Sequence, residues 1–118
     1  MGLNSAIVGL GWWGKHIVNT LQDNSEKIHF SRAMDTSPEL VRNFATSKNI
    51  ELSDKFSDIL SDEQIDSVVL ATPHSLHEKQ IIEVAKAGKH VFCEKPLALN
   101  LASAARAVKV VKDMGVIL

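Results

Sequence analysis

The chain has one cysteine, Cys93, among its 118 residues, so no internal disulfide framework can hold it together. Its N-terminus carries neither a basic segment nor a long apolar run, which gives no export signal and fits a reducing, cytoplasmic setting. An excess of one charge is also missing. Thirteen Lys and Arg stand against 14 Asp and Glu, for a net charge of −1, a balance with nothing to attract nucleic acid or an anionic membrane. Met1-Gly2 opens like an acylation signal, but that motif needs Ser or Thr where this chain has Ala6. Repeats, linkers and low-complexity stretches are absent, and no metal-ligand set is assigned. What remains is ordinary globular composition, 45% hydrophobic and 23% charged, at a length that suits one domain.

The most informative stretch is Gly9-Leu10-Gly11-Trp12-Trp13-Gly14, which follows the apolar run Ala6-Ile7-Val8 and opens into a helical pattern. In a G-x-G-x-x-G turn between strand and helix, Gly9 permits the tight turn, Gly11 lets backbone approach a pyrophosphate, and Gly14 lets helix and strand pack closely. The first-turn N–H groups of the helix lack intrahelical partners, and with the helix dipole they suit a doubly anionic bridge. The pattern also wants an acidic residue closing the next strand, near a ribose hydroxyl. Asp35 closes Ile28-His29-Phe30-Ser31-Arg32-Ala33-Met34, 26 positions after Gly9. A turn or cap residue before Pro38 is the competing reading of Asp35. Together the two features indicate dinucleotide binding.

Along the rest of the chain, strands alternate with helices. Pro38 fixes its own φ near the start of a helix from about Glu39 to Lys48, with Leu40, Phe44 and Ala45 on its inner face by spacing. Ile50-Glu51-Leu52 is a short strand, and Phe56, Ile59 and Leu60 mark a short helix. Ser67-Val68-Val69-Leu70-Ala71 is apolar without alternation, as in a parallel strand buried on both faces. Ser75-Leu76-His77-Glu78 has the form of a capping box for a helix that Gly88 ends. His90-Val91-Phe92-Cys93 follows as a strand, and Asn100 caps a last helix with Leu101, Ala104, Ala105, Val108 and Val111 on its apolar stripe. Val116-Ile117-Leu118 reads as the start of a further strand, which suggests a fragment of a longer protein. The alternation predicts an α/β fold, a doubly wound parallel sheet in three αβα layers of the Rossmann type.

Two further groups complete a pattern: Ala71-Thr72-Pro73-His74-Ser75-Leu76-His77, and Gly88-Lys89-His90-Val91-Phe92-Cys93-Glu94-Lys95-Pro96-Leu97. With them the whole chain resembles the N-terminal NAD(P)-binding domain of the Gfo/Idh/MocA oxidoreductases, a family that includes glucose-fructose oxidoreductase and inositol dehydrogenase. The order of glycine turn, T-P-x-x-x-H and E-K-P carries the resemblance. One departure is His74, where the family commonly has Asn.

The resemblance implies hydride transfer between a nicotinamide cofactor, NAD more than NADP, and a sugar, polyol or related alcohol or ketone. It implies a second domain, absent from these 118 residues, that supplies most of the substrate pocket. Lys95 is the implied catalytic residue, contacting the reacting oxygen near the nicotinamide. Around the cofactor the implied contacts are Gly9, Gly11, Trp12, Trp13, Gly14, Asp35, Thr36, Ala71, Thr72, Pro73, His74, His77, Glu94, Lys95 and Pro96. Blander readings stand beside these: Lys95 as a solvated surface lysine, Thr72-Pro73 as a strand-ending turn, His77 as an exposed first-turn residue. Cys93 reads as a small buried apolar residue. Trp12 and Trp13, if uncovered, would promote association into a homo-oligomer. A non-catalytic NAD(P) sensor of the same fold is the alternative, disfavoured because it has no use for Lys95. A CoA-binding domain explains the glycine turn but neither Asp35 nor Glu94-Lys95-Pro96.

Overall fold

Residues 2–118 are described by a computed structural model. Five strands, β1 (Leu3–Val8), β2 (Ile28–Met34), β3 (Glu51–Ser53), β4 (Ser67–Leu70) and β5 (His90–Cys93), form one sheet in the order β3-β2-β1-β4-β5. Every pairing is parallel. Between them run α1 (Trp12–Leu21), α2 (Pro38–Ser47), α3 (Phe56–Leu60) and α4 (His77–Lys86), and α5 (Leu101–Met114) follows β5.

Period-two alternation sends the side chains of the central strands into two cores. Ala6, Val8, Val68 and Leu70 pack with Ile59 of α3, Ile81 and Val84 of α4, and Ala107 and Val111 of α5. Ile7 and Val69 pack on the other face with Val18 of α1 and Val41 and Ala45 of α2. Helices therefore cover both faces, which makes the predicted three-layer αβα architecture. Phe30 and Ala33 share the second core although an odd number of positions separates them. The cause is an irregularity in β2, where Ser5 pairs with Phe30 but Ala6 with Arg32, so one extra residue re-phases the strand.

Register brings the carboxyl ends of the strands level. Val8 pairs with both Met34 and Leu70, and Leu70 pairs with Cys93, so the next residues along each strand, Gly9, Asp35, Ala71 and Glu94, stand along one edge. Chain direction across the sheet reverses at β1, with β2 and β3 on one side and β4 and β5 on the other. Ligands of doubly wound sheets bind at such a switch point.

Several local expectations are corrected. Leu40 is 76% exposed and Val41 is buried in its place, while the expected Ala45 is buried and Phe44 packs against the same core. On α5 the buried positions are Ser103, Ala107 and Val111, while Leu101 and Val108 face outward. No capping box forms at Ser75. A 3₁₀ turn (His74–Leu76) precedes α4, and Glu78 pairs with Arg106 of α5 at 2.6 Å. Asn100 does cap α5, accepting from the Ser103 amide at 2.9 Å, a contact worth about 1 kcal/mol. Val116–Leu118 is not a strand, although Val91 N–H donates to the Ile117 carbonyl at 2.9 Å. Among the described residues no helix is long and apolar enough to cross a membrane.

Candidate functional site

The three glycines of the turn answer to different neighbours. Gly9 has φ +96°, and a Cβ there would sit 2.5 Å from the Ala71 carbonyl oxygen. A Cβ on Gly14 would overlap the carbonyl oxygen of Gly9 itself. Both glycines are therefore demanded by the packing of β1, β4 and α1. Gly11 is not: its φ is −73°, which any residue adopts, and nothing lies within 4 Å of where its Cβ would be. The protein leaves that space free beside the first turn of α1, whose backbone N–H groups have no intrahelical acceptors. Open space beside free N–H groups is what a phosphate requires, and a side chain at Gly11 would project into it.

A cleft of about 290 Å³ opens there, lined among others by Gly9, Gly11, Asp35, Thr36, Thr72 and Pro73. The Asp35 carboxylate is held at both oxygens. Oδ2 accepts from Leu10 N–H and Oδ1 from Ser37 N–H, each at 2.8 Å, so the carboxylate ties the glycine turn to the end of β2. Each oxygen keeps a second lone pair for a hydroxyl donor. Arg32 is turned to other partners, with Asp62 at 2.6 Å and Glu51 at 3.5 Å. The Gln64 backbone N–H and then the Arg32 guanidinium hold the Asp62 carboxyl below its usual range.

A second cleft, of about 250 Å³, is lined by Trp13, Ala71, Thr72, His74, Glu94 and Lys95. It shares Ala71 and Thr72 with the first, so the two run on from one another along the edge of the sheet. Lys95 is exposed and makes no hydrogen bond or ion pair among the described residues. Trp12 is 77% exposed, and its ring stacks with those of Trp13 and His16 at centroid distances of 5.7 and 5.5 Å. Burial, and then the neighbouring Glu94 charge, push the Cys93 thiol up to about 11, which removes it as a nucleophile at neutral pH.

His77 stands behind both clefts. It is fully buried; its Nδ1 lies 2.8 Å from the Pro96 carbonyl oxygen and its Nε2 3.0 Å from that of Thr72. The Lys95–Pro96 peptide bond is cis. The structure thus brings together the glycine turn, Asp35, Thr36, the Ala71–His74 loop and the Glu94–Pro96 loop, with His77 joining the last two from beneath. Sequence reasoning missed Gln80 and Leu76, which also line the first cleft. Gln80 accepts from Thr72 Oγ1 at 2.6 Å, and its place three residues after His77 on one helix face was the available signal. No group of three His, Cys, Asp or Glu is placed to hold a metal among the described residues.

A free phosphate cradle, a carboxylate at the end of β2 and a cleft at the switch point define a dinucleotide-binding Rossmann domain. The chain belongs to the Gfo/Idh/MocA oxidoreductase family, whose NAD-binding Rossmann fold matches residues 3–118. It is 33% identical over 116 residues to 2,7-anhydro-N-acetylneuraminate hydratase of Escherichia coli, covering 97% of this chain and 30% of the relative. It is 32% identical over 113 residues to myo-inositol 2-dehydrogenase of Thermotoga maritima, covering 95% and 34%. The WlbA dehydrogenase of Bordetella pertussis, solved with NADH and UDP-GlcNAcA, superposes with a TM-score of 0.90 at 31% identity, over 99% of this chain and 36% of that one. The chain thus spans about a third of the length of these relatives.

Proposed function

We propose that this domain holds NAD(H) as the cofactor half of an oxidoreductase acting on a sugar, polyol or related substrate. The observation that carries the reading is the open space at Gly11 between two glycines that the fold itself requires. The adenosine ribose is assigned to Asp35 and the pyrophosphate to Gly11 and the first turn of α1. The nicotinamide end is assigned to the cleft between Trp13, His74 and Lys95. When bound, the nicotinamide gives or takes the hydride. The protein's part is to align the reacting carbons and to stabilise charge on the substrate oxygen, a task for the unpaired ammonium of Lys95. The relatives named as a hydratase and as a dehydrogenase match this domain almost equally, at 33% and 32% identity. We therefore place the cofactor here and the choice of net reaction outside these residues.

NAD is preferred to NADP because the Asp35 carboxylate would face a 2′-phosphate with like charge. Arg32, the cation nearest in sequence, is engaged with Asp62 and Glu51. Uncovered Trp12 and Phe92, 77% and 59% exposed, favour self-association. The test is fluorescence titration with NADH and NADPH, competition by ADP-ribose, and an assay of NAD reduction with a panel of polyols and sugars. Tighter NADH binding, full competition and no turnover are expected of these 118 residues, since Lys95 lies in an open cleft. Tighter NADPH binding would overturn the cofactor assignment, and brisk NAD reduction the division of labour.

A further inference from the structure

Among the described residues His77 is the one fully buried histidine, and both of its ring nitrogens meet backbone carbonyl oxygens, Pro96 at 2.8 Å and Thr72 at 3.0 Å. A carbonyl oxygen can only accept. Neutral imidazole carries one N–H, so it can serve one of these carbonyls while its other nitrogen presents a lone pair to an oxygen; the imidazolium donates to both. Rotating the ring by 180° does not remove the conflict. It would set carbon atoms 2.8 and 3.0 Å from the same oxygens, closer than the ~3.3 Å at which C–H···O contacts begin.

We infer that His77 is a positioning residue, an imidazolium clamp that donates from both nitrogens and fixes the loop after β4 to the loop after β5. The inference rests on the proposed cofactor site, because these two loops carry Thr72, His74, Glu94 and Lys95, the walls of the nicotinamide-side cleft. Thr72 is held twice, by its carbonyl on His77 and by its hydroxyl on Gln80 at 2.6 Å. Pro96 follows Lys95 directly, so the second contact sets where the Lys95 backbone leaves the sheet. Without the clamp, the glycine turn and Asp35 keep their own bonds, while the spacing between Thr72 and Lys95 loses its anchor.

The ionisable groups on the surrounding elements neither replace nor neutralise these contacts. His74 of the 3₁₀ turn lies with its ring centroid 5.8 Å away, tilted by 55°. On α4 the neighbouring Glu78 is paired with Arg106 of α5. On β5 stand His90, whose Nδ1 accepts from Ile117 N–H at 3.1 Å, and Cys93, with Glu94 and Lys95 on the loop after it, and β4 carries no ionisable side chain. Among the described residues no carboxylate comes within ion-pair distance of the ring. The two carbonyls are what hold its charge, by hydrogen bonds of the stronger, charge-assisted kind.

The test is a proton count. Long-range ¹H–¹⁵N NMR of the histidine rings in the cofactor-free 118-residue chain at pH 7 should show both His77 nitrogens protonated, with two slowly exchanging N–H signals. A single protonated nitrogen overturns the clamp. In a second arm, His77→Phe keeps an aromatic ring at the site and removes both donors. Backbone amide shifts are expected at residues 72–76 and 94–97 but not at 9–14, together with a loss of NADH affinity of about tenfold, the size of one charge-assisted bond. Shifts confined to α4 overturn the positioning role. Should His77→Phe not fold, the proton count on the wild-type chain decides alone. Wild-type chain that binds no NADH while showing two ring N–H signals would refute the cofactor site and leave the clamp standing.

Discussion

At the Asp35 end of the cleft the polar groups are already fixed by the protein, whereas at the Lys95 end they wait. The two Asp35 oxygens accept backbone N–H groups, one from Leu10 in the glycine turn and one from Ser37 just after β2, and Gly9 and Gly14 are pressed against backbone that leaves no room for a side chain. Lys95 is exposed and engages nothing among the described residues, and Trp12 and Trp13 stand 77% and 44% exposed. A preorganised end loses little ordering entropy when a ligand arrives, which favours affinity. An end with a free charge in an open cleft becomes effective only when water is excluded around it. Under the proposed function, binding falls to the first end and chemistry to the second.

The sharpest way to break the comparison is at Gly14. Alanine normally favours a helix over glycine by about 1 kcal/mol, but here its Cβ would overlap the Gly9 carbonyl oxygen, and backbone cannot step aside as a side chain can. Gly14→Ala is expected to lose about 3 kcal/mol of stability, more than 10 °C in Tm for a domain of this size. A thermal melt within a few degrees of wild type would show that the turn is not wedged as described. Gly11→Ala should do the opposite. Its Cβ meets no protein atom, so the melt should hold while NADH affinity falls about 100-fold, or ~2.7 kcal/mol. Titration of this variant separates a glycine kept for the fold from one kept for a ligand.

Asp35→Asn comes next. The amide offers one acceptor oxygen where Leu10 N–H and Ser37 N–H now use two, and its NH₂ would face one of those donors. One unsatisfied donor and one weakened ribose contact predict about a tenfold loss of NADH affinity. Loss of the charge should also narrow the preference for NADH over NADPH, which paired titrations would read. An unchanged preference would mean that Asp35 serves the glycine turn alone.

The motifs were legible because each is local: a strand, a glycine turn and a helix start lie within fifteen residues, and Asp35 needs only the end of the next strand. Helix faces were less so. On α2 and α5 apolar residues fit more than one stripe, and the register against the sheet chose Val41 over Leu40 and Ala107 over Leu101. Ser75 and Glu78 have capping-box spacing, but Glu78 is drawn to Arg106 on another helix, a partner 28 residues away that no local pattern reveals. His77 was legible as a motif member, whereas its burial between two carbonyls depends on Pro96, 19 residues on. The link from Asp35 to Leu10 was hidden for the same reason, since it crosses 25 residues.

The smallest expected effect on cofactor affinity is the most discriminating, and it concerns Lys95. If its ammonium serves charge that develops on a substrate oxygen, its interactions belong to the transition state, and removing it should scarcely alter cofactor binding. It is exposed and makes no hydrogen bond or ion pair among the described residues, so Lys95→Ala should neither unfold the domain nor uncover a buried partner. NADH affinity of the 118-residue chain is expected to stay within about threefold, under ~0.7 kcal/mol. In a full-length enzyme carrying this domain the same substitution should lower kcat by ~10²-fold or more, the cost of one stabilising charge at a reacting oxygen. Fluorescence titration on the domain and steady-state kinetics on the full-length protein read the two halves separately. A tenfold loss of NADH affinity would make Lys95 a cofactor anchor and would erase the division between a fixed binding end and an open chemical end.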